Sequence, residues 1–208
     1  MPAARLEFWF EFASSYSYLS VMRIEPLARE AGVEIVWRPF LLGPVFLSLG
    51  WNDSPFNIYP PKGRYMWRDL ARLSARYGLP FKVPTRFPRN GLLAARVALV
   101  GASQPWIGDF ARAVMGANFA EDREIAEVEV ITAILDGLGL PAARLLEETN
   151  APENKLALRR QTEQAGEIGL FGAPSFVTPD GEMFWGNDRL EDALVWVTQP
   201  GTAVHKPT

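Results

Sequence analysis

The stretch "FWFEFASSYSYL", residues 8–19, decides the fold because the spacing of its apolar residues changes from that of a strand to that of a helix. Phenylalanines alternate with other residues up to Phe12, as in a strand with one face in a core. From Tyr16 the apolar residues fit a helix that Gly32 ends. "VEIVWRPF", residues 33–40, alternates again. The sequence therefore predicts a βαβ unit with parallel strands.

The rest of the chain predicts a long helical segment, then two strands and a last helix. Residues 41–61 are rich in glycine, proline and aromatic residues without sustained periodicity, so we expect a structured loop there. Stretches of helical spacing follow up to about residue 169. Residues 173–186 place two short strands around a Pro-Asp-Gly turn, and residues 187–199 return to helical spacing. The predicted order is βαβ, helical insertion, ββα.

Composition excludes several kinds of chemistry. The chain has no cysteine, which excludes disulfides, thiolate metal sites and a thiol nucleophile of its own. Its one histidine, His205, lies in the expected flexible tail, so we expect no metal site and no serine–histidine mechanism. The net charge of -3 without a basic run argues against nucleic acid as a partner.

The hydrophobic runs argue against a membrane protein. A membrane-spanning helix needs about 20 predominantly apolar residues, and no stretch approaches that length. Glu7 and Glu11 interrupt the apolar start before a signal-peptide core could form. We therefore expect a cytoplasmic protein.

Ordered motifs give the chain a family resemblance. "FWFEFASSYSYL" resembles the opening F-x-F-D/E-x-x-S-P-x-S-Y/W-L of the kappa-class glutathione transferases and of the related 2-hydroxychromene-2-carboxylate isomerases. "PPKGRYMWRDL", "YGLPFKVP", "RFPRN", "FGAPSFV" and "WGNDRLE" match the same group in order, to about residue 197. "FPRN" is more similar to the isomerase branch. Ser15 departs from the pattern because proline is common there, and we expect the fold to tolerate it.

The resemblance implies an α/β protein with a DsbA-like thioredoxin fold carrying a large all-helical insertion. Residues 1–40 and 170–200 would form a discontinuous thioredoxin-like domain, residues 41–169 a loop plus helical insertion domain, and residues 201–208 a flexible tail. A thioredoxin-like module that binds ligands without catalysis is an alternative for this fold.

The implied activity is a glutathione-dependent isomerisation of an unsaturated aromatic carboxylate, of the 2-hydroxychromene-2-carboxylate type, in the catabolism of aromatic compounds. The enzyme would be a homodimer with glutathione as its cofactor. The alternative within the family is a kappa-class glutathione S-transferase, which releases the conjugate as product.

Ser14 has two compatible interpretations. A serine before a helix is a favoured N-cap, because its oxygen accepts a free backbone N–H. The same helix end stabilises a nearby anion, and a hydroxyl can donate a hydrogen bond to a thiolate. The resemblance implies that Ser14 is the catalytic residue that stabilises the thiolate of glutathione, while Ser15 and Ser17 are structural.

The C-terminal motifs predict part of the cofactor site. An X-Pro bond is usually trans, but the resemblance implies a cis bond between Ala173 and Pro174 that leaves the backbone of Ala173 free to pair with glutathione. Asn187 or Asp188 is a candidate cap of the last helix, and the resemblance implies that the pair also meets the γ-glutamyl end of glutathione, with Arg189 beside them.

The middle of the chain adds further candidates. Lys62 is either a solvated side chain or a cation for glutathione, and Asp53, next to Asn52, lies near the family's glutathione-binding asparagine. Asn90 either caps the next helix or binds the substrate carboxylate. Phe46 and Trp51 are expected to line an aromatic substrate pocket.

Glu11 precedes Ser14 by three residues, on the strand face opposite the phenylalanines. A carboxylate below the site could be partly buried, with a raised pKa, and relay protons. An ordinary paired or solvated glutamate is the alternative.

Overall fold

The computed structural model describes residues 4–199, and a four-stranded sheet with the order β2-β1-β3-β4 forms its centre. β1 pairs in parallel with β2, whereas β3 is antiparallel to both β1 and β4. This confirms the predicted βαβ unit and the later pair of strands. The strands and the helix that joins the first two are β1 (Ala4–Phe10), α1 (Ser15–Ala31), β2 (Val33–Pro39), β3 (Ser175–Val177) and β4 (Met183–Trp185).

Helices fill the segment between β2 and β3. They are α2 (Leu42–Ser48), α3 (Pro55–Ile58), α4 (Pro60–Tyr77), α5 (Leu92–Val100), α6 (Ile107–Phe119), α7 (Val128–Gly137), α8 (Ala142–Asn150) and α9 (Pro152–Glu167). A single 3-10 turn, Asn187–Arg189, leads into α10 (Leu190–Thr198). None of the helices within residues 4–199 is long and apolar enough to cross a membrane. The predicted tail, residues 201–208 with His205, lies outside the described residues.

The predicted loop at residues 41–61 is wrong in part, because it contains α2 and α3. Pro44 lies in the first turn of α2, where a helix does not use the backbone N–H that proline lacks. Pro55 is the first residue of α3, and Ser54 caps that helix by accepting the N–H of Phe56 at 3.3 Å. The prolines that suggested a loop are thus helix starts.

Helix α1 has a defined residue at each end. Ser14, in extended conformation, is its N-cap, and Gly32 ends it with a left-handed φ of 68°. The backbone N–H of Gly32 donates to the carbonyls of Ala28 and Arg29, so it satisfies carbonyls that the helix leaves free. These two ends fix where α1 meets the sheet.

One hydrophobic core joins the sheet to the inserted helices. Phe8 and Phe10 of β1 belong to the same buried cluster as Met66 of α4 and Phe110 of α6. Trp9, on the other face of β1, packs in a smaller cluster around Phe40, Leu42, Val45, Ala165 and Leu170. The predicted domain boundary near residue 40 therefore does not separate two hydrophobic cores. The division into two domains stays a prediction.

Candidate active site

A cavity of about 1150 Å³ opens where β1 ends and α1 begins. The segment carrying α2 and α3, the residues before α5, and those flanking β3 and β4 complete its wall. The structure brings to this cavity all of the predicted site residues except Pro174. Those that line it are Ser14, Phe46, Trp51, Asp53, Lys62, Asn90, Ala173, Asn187 and Asp188.

The Ser14 hydroxyl makes two hydrogen bonds at the base of this cavity. It accepts the backbone N–H of Ser17 at 3.2 Å and donates to the carbonyl of Ala173 at 2.9 Å. The first turn of α1 also carries backbone N–H groups that have no acceptor within the helix. The capping side chain therefore lies next to a helix end that favours negative charge.

The peptide bond between Ala173 and Pro174 is cis. The carbonyl of Pro174 accepts the backbone N–H of Gly186 at 2.9 Å, and the Ser175 hydroxyl donates to the carbonyl of Gly172 at the same distance. This loop is therefore tied to β4 on one side and to Ser14 on the other.

Ser15 and Ser17 lie in the same helical turn, and neither hydroxyl bonds to Ser14 or to the carbonyl of Ala173. Ser15 is buried, and its hydroxyl donates to the sulfur of Met66 at 3.0 Å. The buried Ser17 hydroxyl has no hydrogen-bond partner among residues 4–199. A serine thus fits the position where the family motif quoted above has proline, because its side chain reaches α4.

Asn187 is a buried anchor and does not cap the last helix. Its Oδ1 accepts from the Ser20 hydroxyl at 3.2 Å and from Arg23 at 3.1 Å, which ties the 3-10 turn to α1. Neither this turn nor α10 has a side-chain cap, so the capping interpretation of Asn187 and Asp188 is wrong. Asp188 is exposed and pairs with Arg189 at 3.4 Å.

The remaining polar candidates differ in whether their side chains already form hydrogen bonds or ion pairs within the protein. Lys62 is exposed, with its Nζ 4.9 Å from the centre of the Tyr59 ring, and it forms no ion pair within the described part of the chain. The Asp53 carboxylate accepts the backbone N–H of Ser54 at 2.6 Å. The Asn90 Oδ1 accepts the backbone N–H of Leu92 at 2.9 Å, although Gly91 is the N-cap of α5, and the amide NH₂ stays available for a ligand.

Two aromatic pairs border the cavity. The rings of Phe46 and Trp51 are 5.7 Å apart, and those of Phe171 and Trp185 are 4.8 Å apart. The second pair was missed from sequence, although Phe171 begins the motif "FGAPSFV" and Trp185 begins the motif "WGNDRLE". A Cβ on Gly172 would lie 2.4 Å from the Trp185 indole nitrogen, so glycine lets the indole pack there.

Sequence reasoning also missed a buried network centred on Arg89. This guanidinium donates to Asn118 Oδ1 at 3.0 Å and to Asp122 at 2.5 Å. The Asn118 amide in turn donates to the carbonyl of Phe12 at 2.9 Å, just before the active-site turn. The backbone N–H of Thr85 and the Arg89 guanidinium hold the pKa of Asp122 well below its usual value. No local sequence pattern predicts such contacts, because the residues are 29 to 106 positions apart in the chain.

Glu11 and Tyr16 are the titratable groups closest in sequence to Ser14, and both line the cavity. The Tyr16 hydroxyl donates to Asp69 at 3.0 Å, and burial raises its pKa well above the ordinary value. Burial also raises the pKa of Glu11 to about 8, against a smaller opposing effect of a hydrogen bond from the backbone of Ala13. Tyr16 is therefore a neutral, occupied hydroxyl, whereas Glu11 is a carboxyl that titrates near neutral pH.

Comparisons with known proteins give consistent relatives. Residues 5–194 match the DSBA-like thioredoxin domain. The chain is 30% identical over 187 residues to 2-hydroxychromene-2-carboxylate isomerase from Sphingobium xenophagum, covering 89% of this chain and 94% of the relative. It is 28% identical over 204 residues to glutathione S-transferase kappa 1 from Rattus norvegicus, covering 91% and 89% of the two chains.

A solved structure gives the same result for the fold. The structure of a 2-hydroxychromene-2-carboxylate isomerase superposes with a TM-score of 0.79 at 26% identity, over 89% of this chain and 90% of that chain. The likeness thus extends over most of both chains.

Proposed function

Because the chain belongs to the DSBA-like thioredoxin domain family, in the group of 2-hydroxychromene-2-carboxylate isomerases and kappa-class glutathione transferases, we propose that it is a glutathione-dependent isomerase. The family membership confirms the predicted α/β, DsbA-like thioredoxin fold. The proposed substrate is an unsaturated aromatic carboxylate of the 2-hydroxychromene-2-carboxylate type.

The observation that carries the proposal is the position of Ser14. Its hydroxyl lies at the N-terminus of α1 and 2.9 Å from the carbonyl before the cis proline. Such a helix end lowers the pKa of a thiol placed against it. Since the sequence contains no cysteine, a thiol there has to come with a ligand.

The cavity residues fit glutathione by their chemistry. The backbone of Ala173 is suited to pair with the cofactor's peptide groups. The exposed carboxylate of Asp188 suits the γ-glutamyl ammonium, with Asn187 holding the turn, and Lys62 suits a carboxylate at the other end. Asp53 completes the polar wall.

When bound, glutathione supplies a thiolate that adds reversibly to the conjugated double bond of the substrate, permits rotation, and leaves unchanged. Ser14 donates a hydrogen bond to this anion, and the first turn of α1 adds free N–H groups. Phe46 and Trp51 provide an apolar wall for the aromatic ring of the substrate. The amide NH₂ of Asn90 is placed to donate to the substrate carboxylate.

Calorimetric titration with glutathione tests the cofactor first. We expect binding at millimolar glutathione or below, and weaker binding of S-methylglutathione, because it cannot form the thiolate that Ser14 and the helix end stabilise. The absence of heat at these concentrations would contradict the isomerase and the transferase alike and leave a binding module of other specificity. S-methylglutathione should support no turnover.

Absorbance assays then separate the two enzyme classes. With glutathione present, a hydroxychromene carboxylate should be converted catalytically without consumption of glutathione. Conjugation of a chlorodinitrobenzene-type electrophile with loss of free thiol, in the absence of isomerisation, would instead favour the kappa-class transferase, to which the chain is also similar. We further propose that the protein is a cytoplasmic homodimer. Light scattering after size-exclusion chromatography would measure its molar mass in solution and so test the dimer.

A further inference from the structure

Glu11 is a carboxyl at the active cavity that the proposed function leaves without a role. It lies between the end of β1 and Ser14, is half-buried, and lines the cavity. Gly91 lies beside it: a Cβ added there would be 3.7 Å from its Oε1. The backbone N–H of Ala13 donates to the carboxyl. Its side chain therefore lines the same cavity as Ser14, beside Gly91.

The charged groups that share the cavity are occupied elsewhere or lie at its rim. Arg89 pairs with Asp122 and Glu124, and Arg189 pairs with Asp188 and Asp192. Asp69 pairs with Arg72 and accepts the Tyr16 hydroxyl, Asp53 accepts the backbone N–H of Ser54, and Lys62 lies over the Tyr59 ring. Glu11 forms no ion pair with any of the described residues, in contrast with Glu7 of the same strand, which binds Arg38 at 2.5 Å.

Partial removal from water without a neighbouring cation favours the protonated form of a carboxyl. Burial raises the pKa of Glu11 to about 8, so at neutral pH the group is mostly the neutral acid and can donate a proton. Its pKa near the working pH is the value that suits general acid–base catalysis. A neutral acid also does not repel a thiolate stabilised by Ser14.

We propose that Glu11 is a catalytic acid–base residue that moves a proton to and from the substrate in this cavity. The proposal rests on the proposed glutathione-dependent isomerisation. The neutral carboxyl donates its proton to the substrate oxygen conjugated with the double bond as that oxygen gains electron density. It takes the same proton back as the double bond re-forms, so the cycle neither gains nor loses a proton.

The first test needs no cofactor. Urea unfolding of the unaltered protein and of Glu11→Gln is measured between pH 5 and pH 9. Since the folded state holds a proton that the unfolded chain releases near pH 4.5, the unfolding constant of the unaltered protein should rise more steeply, by up to tenfold per pH unit, until about pH 8. Glu11→Gln should lack this extra rise, and Glu7→Gln, on the same strand, should keep it.

The second test is the pH profile of turnover at saturating glutathione. Glu11→Gln should bind glutathione as the unaltered protein does but turn over about 100-fold more slowly. The unaltered enzyme should lose kcat above about pH 8 as Glu11 ionises, whereas the residual rate of Glu11→Gln should not. Glu11→Asp should restore part of the rate, and Glu7→Gln should match the unaltered enzyme.

Different outcomes overturn different claims. An active enzyme whose Glu11→Gln variant shows full turnover and an unchanged pH profile would refute the role of Glu11 alone. The role of Glu11 would also be refuted if the unfolding constants of the unaltered protein and of Glu11→Gln showed the same pH dependence. An unaltered protein that neither binds glutathione nor isomerises the substrate would remove the proposed function, and this inference with it.

Discussion

The Ser14 side chain serves the fold and the proposed chemistry at once, and the two roles separate in a variant. Ser14→Ala should lower isomerase turnover by about tenfold or more, because an anion-stabilising donor is lost. It should also cost about 1 kcal/mol of unfolding free energy, because α1 loses its N-cap. Steady-state kinetics and urea unfolding measure the two effects.

Ser17→Ala is the matched control for that variant. The Ser17 hydroxyl is in the same turn, is buried and has no partner within residues 4–199, so its removal leaves no donor or acceptor orphaned. Turnover should stay within about twofold, which corresponds to a change of less than about 0.5 kcal/mol in the activation free energy. Equal loss of activity in both variants would mean that Ser14 acts only through the stability of the turn.

At the scale of elements, Gly32 limits α1 through its backbone conformation. Its φ of 68° is unfavourable for residues with a Cβ, while no atom lies within 4 Å of the position of an added Cβ. Gly32→Ala should therefore cost about 1 kcal/mol from the backbone alone. Gly137→Ala is the control, because that site is equally open and has no positive φ. Thermal and urea unfolding of both variants would show whether conformation accounts for the difference.

The network around Arg89 connects the loop before α5 to the end of α6 and to the β1–α1 junction. Since the pKa of Asp122 is held below its ordinary value, its ionised form stabilises the fold above that value, and the contribution is lost as the pH falls below about 4. Asp122→Asn should destabilise the protein at pH 7, and the difference should shrink towards pH 3. Asp109→Asn, at an exposed ion pair, should change stability little.

Elements with one clear period were predictable from sequence, and short ones were not. The alternation of β1 and the glycine stop of α1 are local patterns, and both appear in the structure. Helices α2 and α3 have seven and four residues, too few to display a period. The pairing of Ser54 with Pro55 is the signal that could have revealed the second of them.

For the whole molecule, the shared core predicts one cooperative unit. Phe8 of the sheet and Phe110 of α6 lie in the same buried cluster. Hydrogen exchange should therefore give amides of β1 and of α6 the same free energy of opening, close to that of global unfolding. Two distinct values would instead divide the chain into units that unfold independently.

The cavity is a property of the whole molecule that sequence reasoning reached only through family motifs. Those motifs placed Ser14, Ala173 and Asp188 together, and all three line one cavity. Arg89, Phe171 and Trp185 also lie in these motifs, but the motifs gave no indication of the contacts that the three side chains make. Such contacts depend on how separate segments pack, which leaves no periodic pattern along the chain.

The hydrogen bond from Ser14 to the carbonyl of Ala173 gives the free enzyme a resting position for its donor. A carbonyl oxygen has two lone pairs, so an amide N–H of the proposed cofactor can join it before the hydroxyl departs. The Ser14 hydroxyl can then turn towards the sulfur without leaving the carbonyl oxygen of Ala173 unpaired. Binding of the cofactor's backbone and stabilisation of its sulfur would therefore be coupled through the carbonyl oxygen of Ala173.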